Sequence, residues 1–300
     1  MINITLKQLR YFASLARHRH FGRAADDCSI SQPALSMQIK ELEQTLGAPL
    51  IEKSARPLRL THFGEKIVRN SNDILRAVKN LEELAQASRD NPIGTLRIGV
   101  IPTVAPYLLP TMMGNLTRNF PELEITFKET VTANLIKDIQ DGRLDTAIVA
   151  LPVSEPSLTE LALFTEEFVL VRPTKDAENP VPKPEMVGEM RLLLLEEGHC
   201  FRDQALAYCK ASSTATSDLM HGSSLSTLVQ MVSAGIGVTL IPEMALAVEQ
   251  KSASVSITPF EEPRPHRTIG MIWRKKNPLK DHFEQISKSI QKPEKSLYPT

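Results

Sequence analysis

Cys200 and Cys209 stand nine residues apart in EEGHCFRDQALAYC, directly after the apolar run RLLLL at 191–195 and at the start of a helical stretch. A thiol at a helix N-terminus faces the positive end of the helix dipole, which favours the thiolate. His199 and Arg202 add donors or positive charge, while Glu196 and Glu197 oppose them by repulsion. A thiolate attacks peroxide to give a sulfenic acid, which condenses with a second thiol. Cys209 is the candidate for that second thiol. If 201–209 is helical, a rise of about 1.5 Å per residue separates the two Cα atoms by about 13 Å. A disulfide needs them within about 7 Å, so bonding would demand that the helix unwind, and a strained bond is easier to reduce. The same spacing also fits two unrelated thiols, one of them packed in a helix, and does not choose between the two. The third cysteine, Cys28, lies beside Ala25 and reads as a packed structural thiol. These spacings offer no zinc site without distant histidines, and neither a metal nor a cofactor is expected.

The elements that would position these residues alternate strand and helix from about residue 95 onward. Strands are expected at 95–101, 123–130, 145–151, 167–172, 191–195, 237–241 and 267–273, with helices between them. That rhythm predicts an α/β fold with mostly parallel sheets, divided into two subdomains around a cleft. Upstream, Ile67, Ile74 and Leu81 repeat at seven, with Val78 and Ala85 between them, which predicts a long helix with a coiled-coil seam. Asn91-Pro92-Ile93-Gly94 breaks it.

The first sixty residues read differently. Leu6, Leu9, Phe12, Ala13 and Ala16 fall on one helix face, and a second short helix follows at about 22–28. Ser31 can cap a third helix with Pro33 in its first turn, and Gly47 stops it. Leu50 to Thr61 reads as a two-stranded wing with Arg56 and Arg59 near its tip. Three short helices and a wing match a winged helix-turn-helix. The third helix presents Gln32, Ser36, Gln38 and Lys40, polar groups suited to base edges and phosphates at a major groove, with Leu35, Ile39 and Leu42 spaced for the core. Ser31 can touch phosphate as well as cap, and the wing arginines can reach the backbone or minor groove. The 35 basic and 35 acidic residues cancel over the whole chain, yet this head holds nine of the former and five of the latter. A basic head on a mildly acidic body fits a polyanion partner.

No apolar run reaches the roughly 18–20 residues of a membrane span. Met1 to Arg10 lacks the apolar core of a signal peptide, so the expected location is the cytoplasm with no membrane partner. The expected domains are 1–62 (winged helix-turn-helix), 63–91 (linker helix), 92–292 (α/β regulatory domain) and a disordered tail at 293–300.

The head resembles the LysR-type regulators throughout. The marks are AA at Ala24-Ala25, SQPALS at Ser31 to Ser36, I-x-x-LE at Ile39 to Glu43, LG at Leu46-Gly47 and LT-x-x-G at Leu60 to Gly64. The resemblance implies double-stranded operator DNA as ligand, with Ser31 to Ala34, Ser36, Gln38, Lys40, Arg56 and Arg59 at the interface. It further implies a homodimer or homotetramer paired through the linker helices, RNA polymerase as partner, and a type-2 periplasmic-binding-protein-like regulatory domain. Within this family, GHCFRDQALAYC (Gly198 to Cys209), IGVIPTVAPYLLP (Ile98 to Pro110) and HRHFGRAADDC (His18 to Cys28) are similar to the peroxide-sensing members. That likeness implies Cys200 as the peroxide-reactive cysteine and Cys209 as its resolving partner, with His199, Arg202, Asp203, Thr103 and Thr132 around hydrogen peroxide. It also implies glutaredoxin or thioredoxin as reductant and peroxide-defence genes as targets. Thr103 and Thr132 follow expected strands, where α/β clefts bind ligands, although each could equally cap a helix. Lys128 departs from the pattern, in place of a histidine, and could alter the pocket's charge.

Two other readings compete with a peroxide-responsive regulator that is not an enzyme. One is a LysR-type regulator responding to a small organic effector, with the cysteines irrelevant. The other is a thiol peroxidase, which would leave the helix-turn-helix without a task.

Overall fold

Thr5 starts the first helix, α1 (Leu6–His18), by a reciprocal pair of bonds: its hydroxyl accepts from the Gln8 N–H, and the Gln8 side chain accepts from the Thr5 N–H. Such a capping box satisfies two amides that the helix itself leaves unpaired. In the computed structural model, residues 3–52, 58–87, 94–209 and 221–290 are described. α2 (Phe21–Asp27) and α3 (Gln32–Leu46) follow. Ser31 caps α3, and Gly47, at φ 71°, ends it in the left-handed conformation. Phe12, Leu15, Ala24, Leu35, Ile39 and Leu42 bury against one another as the core of this head. The wing appears as one antiparallel bridge, Ile51 with Leu60; its expected tip at 53–57, Arg56 included, lies outside the described residues. Glu43 accepts from the Leu50 and Ile51 amides and so fixes the wing root to α3.

α4 (His62–Ala87) starts against that root. A Cβ on Gly64 would come 2.1 Å from the Leu50 carbonyl oxygen, so only glycine permits the approach. The heptad positions of α4 divide. Ile67 packs on the head core, whereas Ile74 and Leu81 are 47% and 65% exposed. The chain separates into two compact units, 1–88 and 89–300.

The second unit runs β1 (Thr95–Val100), α5 (Ala105–Asn119), β2 (Glu124–Glu129), α6 (Thr132–Gln140), β3 (Thr146–Leu151), β4 (Leu158–Pro173), α7 (Pro184–Glu189), β5 (Leu194–Leu195), α8 (Cys200–Tyr208), β6 (His221–Gly222), α9 (Leu225–Ser233), β7 (Thr239–Pro242), α10 (Leu246–Ser252), β8 (Val255–Pro259), β9 (His266–Arg274) and α11 (Lys280–Ser287). Among the described residues the large sheet is ordered β2-β1-β3-β9-β4-β7, with β8 also on β4, and β5 pairs β6 separately. The α/β alternation stands, but the expectation of mostly parallel strands does not. β1 is parallel to β2 and β3, whereas β3–β9, β4–β9, β4–β7 and β4–β8 are antiparallel. The reason is β4, expected only at 167–172 but 16 residues long. Its first part pairs β9 and its last part pairs β7 and β8, so one strand serves both halves of the unit. The expected strand at 191–195 is reduced to β5 with a parallel bridge from Leu192 to Val238.

Where the halves meet, β4 and β9 place Glu166 directly opposite Arg267. Both side chains are fully buried and joined at 2.8 Å. Removing one partner leaves an uncompensated charge out of water. Glu166→Ala is therefore expected to cost about 3–5 kcal/mol of stability, read as a lowered urea midpoint of the regulatory unit.

Candidate functional site

Gly198 holds φ +92°, a left-handed turn that glycine adopts without strain, and it swings the chain from β5 into α8. His199 is the N-cap of α8 and Cys200 its first residue. The cleft in front of them is lined by Ile101, Pro102 and Thr103 after β1, Val131 and Thr132 after β2, and His199 and Cys200. The empty space among these residues comes to about 170 Å³ with the open solvent in front of them counted. Its walls are thus the carboxyl ends of two parallel strands and the start of a helix, the usual place for an α/β ligand.

Three of the lining groups are polarised. Arg267 donates to Thr103 through Nη1 to Oγ1 at 2.8 Å and through Nη2 to the carbonyl oxygen at 3.1 Å. Because a guanidinium only donates, Thr103 Oγ1 accepts there and keeps its own proton for a further partner. The Thr132 hydroxyl is buried with no hydrogen-bond partner among the described residues. Leaving it so costs about 1–3 kcal/mol, which a small polar guest would recover. Burial pushes the His199 imidazole below its ordinary 6.5 against the opposing pull of Glu196 and Glu129, so the ring is neutral at pH 7.

Cys200 is half-buried on this cleft and Cys209 is buried at the far end of the nine-residue helix, as its C-cap; both are free thiols. Burial pushes the Cys209 thiol up to about 12, so it stays protonated. Helix α8 is held from beneath. The Phe201 ring packs edge-on against Phe168 at 4.9 Å and lies under Arg267, 5.2 Å from the guanidinium carbon.

Of the other expected pocket residues, Arg202 is buried but off the cleft, donating to the Leu195 carbonyl and facing His221, and Asp203 is exposed and does not line the cleft. Lys128 does not line it either. Its ammonium meets Asp138 at 2.6 Å, where Arg143 also pairs. Arg267 and Glu166 were not singled out from the sequence: Glu166 falls just before the expected strand at 167–172, and Arg267 opens the one at 267–273. The only signal was their position inside otherwise apolar runs.

On the head, Gln32, Pro33, Ser36 and Lys40 are exposed along α3, Ala34 is half-buried, and Arg59 is exposed beside the wing bridge. Ser31 accepts from the Ala34 amide at 3.4 Å. Gln38 is half-buried and donates to Glu41 at 2.7 Å, so its amide is already engaged. Cys28 is half-buried, caps α2 and packs against the head core.

A three-helix head with a wing, a long helix and a two-halved α/β unit with a cleft is the build of a one-chain regulator. Residues 6–65 match the bacterial regulatory helix-turn-helix protein, lysR family, and residues 89–292 match the LysR substrate binding domain. The chain belongs to the LysR family. It is 40% identical to the DNA-binding transcriptional dual regulator OxyR of Escherichia coli, over 96% of this chain and 95% of that protein. It is 36% identical to the hydrogen peroxide-inducible genes activator of Haemophilus influenzae, over 98% of each. Among solved structures, a full-length OxyR variant from Pseudomonas aeruginosa is similar at 35% identity and a TM-score of 0.73, covering 97% of this chain and 99% of that one. A hydrogen peroxide-bound OxyR cysteine variant from Corynebacterium glutamicum is similar at 34% and 0.65, covering 96% and 92%. These likenesses support a peroxide-sensing LysR regulator. No helix among the described residues is long and apolar enough to cross a membrane.

The depressed His199 value has a consequence for stability. The unfolded ring binds a proton below about 6.5 that the folded ring refuses, so stability falls as pH drops from 6.5 toward the folded value. The urea midpoint should slope downward across that window, and His199→Gln should flatten the slope; an unchanged slope would show that another group titrates there.

Proposed function

We propose that the chain is a transcription regulator switched by hydrogen peroxide through Cys200 and Cys209. The observation that carries this reading is the pair of free thiols at opposite ends of one nine-residue helix, the first on a small cleft and the second sealed in the core. Peroxide in the cleft would be held by the hydroxyls of Thr103 and Thr132 and by neutral His199. The Cys200 thiolate attacks one peroxide oxygen, the O–O bond breaks, and the departing hydroxide takes a proton to leave as water. The resulting sulfenic acid then reacts with the Cys209 thiol, forming the S–S bond and releasing a second water. A helix of this length keeps the Cα atoms about 13 Å apart, so closure requires α8 to open. A thiol reductant of the glutaredoxin or thioredoxin class would return two electrons and two protons.

The cleft favours this reading over a small organic effector. Even with the open solvent in front of it counted, its empty space is only about 170 Å³, and no enclosed chamber of the several hundred Å³ of ordinary ligand pockets lies there. In this reading α3 and the wing bind operator DNA, and the exposed Ile74 and Leu81 pair α4 with a second copy. RNA polymerase would be the protein partner, and the chain would not turn over substrate as an enzyme does.

One equivalent of peroxide should produce an intramolecular Cys200–Cys209 bond in peptide maps, while Cys209→Ser should stop at the sulfenic acid. Sulfonic acid at Cys200 with Cys209 still free would overturn the switch. For the head, Ser36→Ala should weaken specific operator binding by about 1–3 kcal/mol. Arg59→Ala should weaken binding to all sequences and lower the salt slope. Both are read from binding isotherms at several salt concentrations, and an Arg59→Ala loss confined to the operator would count against a phosphate contact.

A further inference from the structure

Arg202 and His221 do not line the cleft, yet they meet where the thiol-bearing helix touches the small β5–β6 sheet. Arg202 stands in the first turn of α8, two residues after Cys200, and is buried. Its Nη1 donates to the Leu195 carbonyl oxygen at 2.9 Å and lies 3.0 Å from His221 Nδ1. Leu195 ends β5 and His221 begins β6, and these strands pair at two positions only, Leu194 with His221 and Leu195 with Gly222. One guanidinium therefore straps the start of α8 to both strands of this small sheet.

The chemistry of the contact fixes its direction. A guanidinium has five donors and no acceptor, so in this contact Arg202 donates and His221 Nδ1 accepts. We propose that His221 is a positioning residue for the thiol switch: by accepting from Arg202 it holds α8 closed while both sulfurs are free. This rests on the peroxide-switch reading above. Joining Cys200 to Cys209 opens the helix that carries Arg202, so the strap exists in the free-thiol form and is given up on closure. An interaction present in one state alone shifts the equilibrium toward that state. The strap thus disfavours the bonded form and makes its disulfide easier to reduce.

The test compares full-length protein with His221→Leu, which removes the acceptor, and His221→Asn, whose Oδ1 restores a neutral acceptor near the position of Nδ1. Each is equilibrated in reduced and oxidised dithiothreitol, where the disulfide takes up two electrons and two protons from the dithiol. The bonded fraction is read by alkylation and mass spectrometry. Losing one ordinary hydrogen bond predicts an equilibrium shift of about fivefold toward the bonded form in His221→Leu. That corresponds to a potential about 20 mV more negative, at 29.6 mV per tenfold change. His221→Asn should return to within about twofold of the parent. Amide exchange in reduced α8 should quicken by the same factor in His221→Leu, a readout that does not depend on the disulfide. An unchanged potential and unchanged exchange in His221→Leu, or an Asn variant that behaves like Leu, overturns the strap. If the parent protein forms no Cys200–Cys209 bond at all, the switch itself fails and the strap falls with it.

Discussion

Glu166 and Arg267 carry opposite charges where no water reaches them, and the cleft is arranged around keeping them paired. A lone charge at that depth costs several kcal/mol, so the register of β4 on β9 has little freedom to slip. The remaining groups of the pair are used as well. Arg267 supports Thr103 twice and covers the Phe201 ring, while the second Glu166 oxygen accepts from the Met244 amide. One ion pair thus anchors the long shared strand, the turn after β1, the helix bearing the thiols and the chain entering α10. What it contributes is a fixed floor, so that the hydroxyls above it need no reorganisation to receive a guest.

On that floor the two sulfurs are treated in opposite ways. Cys200 opens a helix, faces a cleft and is half-exposed, whereas Cys209 closes the same helix inside the core. The rest of α8 supplies the separation, with Phe201, Arg202 and Ala205 buried. The helix is short, and most of its burial lies in its first half. That is the anatomy of an element that can be exchanged for another arrangement without dismantling the sheet beneath it.

Much of the head was legible because its signals are local. Ser31 accepts from the Ala34 amide and Gly47 donates to the Gln44 carbonyl, each three residues away, and the three- and four-residue apolar spacing needs nothing beyond its own helix. The cysteine pair and its helix were legible for the same reason. What escaped the sequence depends on pairings far apart in the chain. Glu166 and Arg267 lie 101 residues apart, and nothing near either one announces the other. The length of β4 was hidden because its first part carries Thr159, Glu160, Thr165 and Glu166 and fell outside the expected strand at 167–172, and only the pairing with β9 makes it strand. Lys128 looked like a change in the cleft, but Asp138 on the neighbouring helix draws it away, its carboxylate shared with Arg143.

The sealing of Cys209 carries a consequence for selectivity among reagents. A sulfur held protonated in the core is shielded from electrophiles, whereas Cys200 lines the cleft and is the sulfur that an entering reagent meets. The outcome then turns on what is left attached. A hydroxyl from a small oxidant is a group that a neighbouring thiol can displace, whereas an alkyl cap is not. Under the proposed switch the fold would sort chemical insults by leaving group: reversible oxidation would proceed to ring closure, and bulky or permanent adducts would end where they begin, on a single blocked side chain.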